Sequence, residues 1–196
     1  SIAGIGLGGK FASIYSVVIA AVASVAGIML AQYIGKKDNE EAGRSFYTNL
    51  AVSFLLAAVF TALSMMMPYR ILGLCTNDAA AVQGGVEYLR IYALSFLPVA
   101  VTSIFSAYLR CACAAKIPLY AGIFASVANT VLNYLLIFGK AGFPAMGVKG
   151  AAWASVMAQA AGCILTVIFF FFLHRKNAWK IPFAIRMDKV HMKQYL

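Results

Sequence analysis

The distribution of ionised side chains is the feature that most constrains this chain. Five segments contain no Asp, Glu, Lys or Arg, and they are 25, 25, 19, 23 and 25 residues long. They cover residues 11–35, 45–69, 91–109, 117–139 and 150–174. A helix of about 20 apolar residues crosses the roughly 30 Å hydrocarbon core of a bilayer. The pattern therefore predicts five transmembrane helices. Their predicted bounds are about 11–34, 44–66, 87–109, 117–138 and 150–173.

The composition agrees with a membrane protein and excludes an ordinary soluble domain. Of the 196 residues, 63% are hydrophobic and 11% are charged, against about 45–50% and about 25% in soluble domains. A bilayer admits only helices or closed barrels, because backbone polar groups must be satisfied internally. The run at 167–173 lacks the alternation of barrel strands. The predicted fold class is an all-α integral membrane protein.

The basic residues predict the orientation of the chain. The formal net charge is +10, and the Lys and Arg residues divide unequally between the two ends of the predicted bundle. Eleven lie at one end: Lys36, Lys37, Arg44, Arg110, Lys116, Arg175, Lys176, Lys180, Arg186, Lys189 and Lys193. Five lie at the other: Lys10, Arg70, Arg90, Lys140 and Lys149. The positive-inside rule places the first end in the cytoplasm, so residues 1–10 are expected outside the cell membrane and the C-terminus inside. Basic residues spread along membrane edges argue against a nucleic-acid partner.

The termini predict a piece of a longer protein. The chain begins at Ser1 without an initiator Met and ends within a basic, aromatic stretch. We divide it into a partial transmembrane lobe, 1–176, and an amphipathic cytoplasmic linker, 177–196, on the anionic inner leaflet.

Polar residues within the last two spans are the candidate site. Asn129 and Asn133 are four residues apart and share a helical face, as do Ser155 and Gln159. The glycine-rich turn 139–150 is short, so these two spans are expected to be antiparallel neighbours with facing polar stripes. Either the stripes join the helices by hydrogen bonds of about 0.6 kcal/mol each, or they line a polar site for a cation or substrate.

Three local features complete the expectations. Asp38, followed by Glu40 and Glu41, predicts an acidic cap on the second span. Pro98 predicts a kink in the third span, because proline lacks an N–H. Glu87 is expected to pair with Arg90 at the outer interface. Neither a catalytic set nor a metal site is predicted, since both histidines lie at the cytoplasmic edge and Cys-x-Cys alone provides too few ligands.

Five segments, in order and at consistent spacing, carry a family resemblance. They are GIMLAQYIG (27–35), EYLRI (87–91), LR (109–110), NTVLNYLLIFG (129–139) and GFPAMGVKGAAWASVMAQ (142–159). Together they resemble the N-terminal lobe of the multidrug and toxic compound extrusion (MATE) transporters. The resemblance implies twelve helices in two six-helix lobes, of which this chain looks like helices two to six. The first helix, with its acidic residue, and the C-terminal lobe then lie outside the chain.

The resemblance also implies a function and roles for the four polar residues. It implies an antiporter that exports cationic or amphipathic small molecules in exchange for H⁺ or Na⁺ by alternating access, with membrane lipids around it and no cofactor. Asn129 matches a family amide in the lobe cavity, and Gln159 matches a family Gln. Ser155 lies near a position that is usually Thr, and Asn133 departs from a position that is often acidic. Two alternatives remain open at this point: a lipid-linked saccharide flippase of the same superfamily, or a non-transporting structural subunit.

Overall fold

The computed structural model describes residues 2–73, 76, 78–140, 142 and 144–176, and the regular structure within those ranges is helical. The helices are α1 (Ile2–Gly35), α2 (Asn39–Met66), α3 (Pro68–Gly73), α4 (Ala79–Tyr92), α5 (Phe96–Cys111), α6 (Lys116–Phe138) and α7 (Val148–Lys176). A short 3-10 turn, Ala93–Ser95, joins α4 to α5. The linker predicted at 177–196 lies outside the described residues.

Five segments of the described ranges are long and apolar enough to cross a membrane. They are Ile5–Gly35, Asn39–Met66, Ala81–Cys111, Lys116–Phe138 and Val148–Leu173. The prediction of an all-α protein with five spans is confirmed. Several helices extend beyond their predicted bounds, because a charged residue ends the apolar segment without ending the helix.

The start of α2 shows why the predicted and observed bounds differ. The carboxylate of Asp38 accepts a hydrogen bond from the backbone N–H of Glu41 over 3.1 Å, which confirms the predicted cap. Arg44 then pairs with Glu40 at 2.9 Å and with Glu41 at 2.8 Å. These charges satisfy one another on the first helical turns, so α2 begins five residues before the apolar segment predicted from 44.

The third span is broken one turn before Pro98. Proline has no N–H to donate to the carbonyl four residues earlier and its ring crowds that carbonyl. The chain adopts the 3-10 turn Ala93–Ser95 just before Pro98, and the kink itself stays a prediction. Three hydroxyls satisfy carbonyl groups around the break. They donate from Ser95 to Tyr92 over 2.7 Å, from Thr61 to Ala93 over 3.2 Å, and from Tyr15 to Phe96 over 2.6 Å.

The core lies among α1, α2, α5 and α7, and α6 lies at its edge. Phe170 of α7 has its ring centroid 5.6, 4.7 and 5.2 Å from those of Phe46, Phe105 and Tyr108, on α2 and α5. Half of the most apolar window in the third span is buried, but only 11% of that in α6. Helix α6 packs mainly on α7 and only slightly on α5.

Glycines allow α6 and α7 to approach closely. Gly139 ends α6 with φ +66°, in the left-handed region that glycine adopts without strain. A Cβ on Gly150 would lie 2.6 Å from the carbonyl oxygen of Leu136, and one on Gly162 would lie 3.0 Å from the Cβ of Ala125. The two helices therefore pack backbone against small side chain, as membrane helices commonly do.

The close approach predicts an asymmetry between two helical glycines. Gly150→Ala should lower the free energy of unfolding by about 1–3 kcal/mol, because the added methyl overpacks against the Leu136 backbone. Gly122→Ala is the matched control, since nothing lies within 4 Å of a Cβ there. Thermal unfolding of the intact protein in detergent measures both. Equal melting temperatures for the two variants would contradict the packing.

Candidate functional site

The structure brings three of the four predicted polar residues into one hydrogen-bonded network. The side-chain amide of Asn133 donates to the side-chain carbonyl oxygen of Asn129 over 2.9 Å, and both side chains lie on one face of α6. The amide of Asn129 in turn donates across to the hydroxyl of Ser155 on α7 over 3.2 Å. Ser155 donates to the backbone carbonyl of Ala151 over 3.1 Å. The polar stripes of the two spans therefore face each other, as expected from the short turn.

The network leaves one acceptor open. The side-chain carbonyl oxygen of Asn133 is buried and, within the described part of the chain, has no hydrogen-bond partner. An unsatisfied buried acceptor costs about 1–3 kcal/mol. Every other link in the network already runs from a donor to an acceptor, so the open position suits a ligand that brings a positive charge or an N–H or O–H group.

Tyr88 is a neighbour of the network that sequence reasoning missed. It lies on α4, is 7% exposed, and packs in one apolar cluster with Ala151 and Ala152 of α7, next to Ser155. Its ring stacks on Tyr92 at 5.4 Å, and α1 approaches so closely that a Cβ on Gly8 would lie 2.6 Å from the Tyr88 ring. The available signal was the pair of tyrosines four residues apart on one face of α4, but it does not indicate which helix that face meets.

Gln159, the fourth predicted residue, lies one turn further along α7 and lines a separate small cavity. This cavity of about 70 Å³ lies between α5, α6 and α7, and Thr102 and Thr166 also line it. Thr102 donates to the Pro98 carbonyl and Thr166 to the Gly162 carbonyl, each over 2.8 Å. Ligand pockets for drug-sized molecules are about 300–1,000 Å³. The cavity has room for water or a small ion and is too small for a drug.

Helix α2 holds a further buried polar group that the sequence analysis did not select. Asn49 is fully buried and donates to the Ser45 carbonyl over 2.8 Å. The hydroxyls of Thr48 and Ser53 are buried, and no partner for them is found among the described residues. Ser45, Asn49 and Ser53 lie in a predicted span at intervals of four, the same spacing that selected the two asparagines of α6, so the signal was present in the sequence and was not used.

Glu87 has a different partner from the one predicted. Its carboxylate lies 3.5 Å from the ammonium group of Lys149 at the start of α7, and this ion pair replaces the expected pair with Arg90. The prediction was wrong because spacing along one helix cannot account for a cation that another helix brings near. Both side chains are about half exposed, so the pair contributes little to stability.

Five apolar spans with a polar network between two of them define a polytopic α-helical membrane protein. The sequence model of the MatE family matches residues 1–135. The chain belongs to this family, whose members are MATE transporters.

Relatives and solved structures agree with the family and extend over most of this chain. It is 29% identical over 172 residues to the "probable multidrug resistance protein NorM" of Thermotoga maritima, covering 87% of this chain and 37% of that protein. A protein of the same description from Rhizobium meliloti is 34% identical over 141 residues, covering 71% of this chain and 30% of that one. The chain thus spans well under half of each relative's length.

The fold of a MATE protein crystallised in a bent conformation matches with a TM-score of 0.87 at 20% identity. That match covers 97% of this chain and 42% of the solved chain. The inward-facing structure of a multidrug resistance MATE family transporter matches with a TM-score of 0.81 at 18% identity, with the same two coverages. The arrangement of these helices is therefore that of a MATE protein, and this extent fits the N-terminal lobe that the sequence resembles.

The bond between α6 and α7 can be measured by a double-mutant cycle. Asn129→Ala, Ser155→Ala and the double variant should give a coupling energy of about 0.6 kcal/mol, typical of hydrogen bonds between membrane helices. Thr130→Ala with Ser155→Ala is the control pair, because Thr130 is exposed and bonds only along its own helix to Ser126. A coupling energy of zero for the first pair, or the same value for both, would show that the two helices are not joined here.

Proposed function

We propose that this chain is part of an antiporter that exports cationic or amphipathic small molecules in exchange for H⁺ or Na⁺ by alternating access. The observation that carries the proposal is the open, buried carbonyl oxygen of Asn133 at the end of the Asn129–Ser155 network. Polar groups within membrane spans are costly and are characteristic of ion and substrate pathways. Relatives described as probable multidrug resistance proteins support the same direction.

The chemistry of the network favours ligation over proton transfer. Asparagine amides and serine hydroxyls do not titrate in the physiological range, so these side chains offer oxygen atoms to a cation and cannot carry a proton themselves. Oxygen ligands suit hard cations. If the coupling ion is H⁺, the titratable group must come from another part of the protein, such as the acidic first helix that the resemblance implies.

The exported molecule needs more surface than the network offers. The cavity beside Gln159 is about 70 Å³, which suits an ion with water. We therefore assign the four polar residues Asn129, Asn133, Ser155 and Gln159 to a cation pathway and expect the larger substrate to contact both lobes. Alternating access moves one repeat against another, which makes a C-terminal lobe the required partner.

The described spans give less support to the alternative of a lipid-linked saccharide flippase. An anionic headgroup carried through the membrane requires cations deep in the cavity. In the described ranges the Lys and Arg residues lie at or near helix ends, apart from Lys10 and Arg90, which lie about two turns inside α1 and the third span. The polar network between α6 and α7 carries amides and hydroxyls instead.

Efflux measurements test the assignment of the network. In cells that produce the intact protein, Asn129→Ala and Asn133→Ala should each reduce export of a fluorescent cation about tenfold, the effect of losing about 1.4 kcal/mol of ligand binding. Thr130→Ala is the control on the same helix and should export normally, since its side chain points away from α7.

Membrane abundance must be equal in all the variants. Normal efflux by both asparagine variants would remove the network from the pathway. Absence of efflux and of ion exchange in the unmodified protein would favour a structural subunit.

We also propose that the protein lies in the cell membrane with its more basic end in the cytoplasm. Cys113 is exposed in the turn between α5 and α6, at that end. In a variant that keeps only this cysteine, an impermeant maleimide should label inside-out vesicles and leave intact cells unlabelled. Labelling in intact cells would reverse the orientation. The outer-end variant Thr76→Cys in the same cysteine-free background is the matched control and should show the opposite result.

A further inference from the structure

A cleft that carries several hydroxyls and one guanidinium group opens between α1 and α5, away from the α6–α7 network. Its volume is about 320 Å³. Helix α5 contributes Thr102, Ser103, Ser106 and Arg110 to its wall, and α1 contributes Ser24 beside two alanines. The residues from 102 to 110 span about 12 Å along the helix axis. The cleft therefore runs from the basic end of the bundle toward the middle of the membrane, with its single charge at the mouth.

The depth of the mouth follows from a contact between the two helices. The thiol of Cys111 donates to the backbone carbonyl of Gly27 over 3.3 Å. Arg110 therefore lies at about the same height along the bundle as Gly27 of α1. Helix α1 continues for eight more residues, to Gly35, or about 12 Å. Arg110 is thus attached about two helical turns before the end of α1. Because it directly follows the span predicted to end at 109, we expect its guanidinium group near the boundary between headgroups and acyl chains.

Arg110 has no acidic partner in the described part of the chain. Asp38 caps α2, Glu40 and Glu41 pair with Arg44, and Glu87 pairs with Lys149. Asp78 lies before α4, at the opposite end of the bundle. A guanidinium group this close to the hydrocarbon needs a counter-ion, and its five N–H donors fit the oxygens of a phosphate in a bidentate manner.

The hydroxyls below Arg110 suit the uncharged part of the same ligand. Ser24 donates to Ala20 over 2.8 Å and Ser103 donates to Val99 over 2.8 Å, each along its own helix. A hydroxyl hydrogen rotates about its C–O bond and can turn toward an incoming carbonyl. Below the cation, α5 offers the hydroxyls of Ser106, Ser103 and Thr102, and the α1 wall adds the methyl groups of two alanines. This lining suits the ester groups and the first acyl carbons of a phospholipid.

We propose that this cleft binds the phosphate group of an anionic membrane phospholipid, with Arg110 as its charged ligand. Free phosphate offers the same charge but leaves the hydroxyls and the alanine methyl groups below Arg110 without a partner. Basic pockets between transmembrane helices bind anionic headgroups in this way. The lipid would fill the space between α1 and α5 and hold these two helices at a fixed separation at the basic end.

Native mass spectrometry of the intact protein tests the site with two lipids, phosphatidylglycerol and the zwitterionic phosphatidylcholine. The unmodified protein should bind phosphatidylglycerol more tightly. Arg110→Gln should weaken that binding about tenfold, as expected for a lost charge-assisted contact. Arg110→Lys should weaken it less, because the charge remains. The control Lys116→Gln removes a cation at the same end, outside the cleft, and should change binding less than twofold, as should millimolar inorganic phosphate.

Three results would overturn the proposal. Equal weakening by Arg110→Gln and Lys116→Gln would indicate attraction to the whole basic end with no specific site. Displacement of the lipid by inorganic phosphate would indicate a free-phosphate site. If Arg110→Gln does not fold, Ser103→Ala combined with Ser106→Ala decides, because it keeps the charge: weaker phosphatidylglycerol binding supports the cleft, and unchanged binding rejects it.

Discussion

The need to satisfy every backbone polar group inside the bilayer determines how these helices pack. The constraint is most visible at the break before Pro98, where the helix cannot complete its own hydrogen bonds. Tyr15 of α1 and Thr61 of α2 supply hydroxyls to carbonyls at or beside the 3-10 turn, and Ser95 supplies a third. Two neighbouring helices are thus bound to the third span at its weakest point. The third span is also the most buried of the five. The 3-10 turn and its three hydroxyl hydrogen bonds therefore lie in the most buried helix of the described bundle.

The sequence predicts the spans well because the bilayer imposes a single length scale on them. It predicts their ends less well, since a charge marks the membrane boundary while the helix continues for as long as its side chains can pair. Helix α2 shows this directly, with Arg44 and its two glutamates inside the helix. The wrong partner of Glu87 has a similar origin. Lys149 is 62 positions away along the chain, and only packing brings it within reach.

The candidate site likewise has features that the sequence predicts and features that depend on helix packing. The spacing of Asn129 and Asn133 and the short turn before α7 were enough to predict that the amides share a face and meet Ser155. The sequence could not indicate that Tyr88 of α4 would pack on α7 beside the network, or that Gln159 would lie in a separate cavity with Thr102. Both results depend on where α4 and α5 cross α7, which no local pattern encodes. The roles of these residues in transport remain predictions.

The attachment of α6 gives the amide network a mechanical consequence. Helix α6 packs mainly on α7. The hydrogen bond from Asn129 to Ser155 is therefore part of the polar network and also one of the contacts that hold the two helices together. If the network binds a cation as proposed, that cation either competes with the hydrogen bond from Asn129 to Ser155 or reinforces it. Cation binding would then shift the equilibrium between close and separated positions of α6 and α7 by some factor. By thermodynamic reciprocity, separation of the helices would change the affinity for the cation by that same factor. A single coupling free energy would then link ion occupancy to the spacing of α6 and α7.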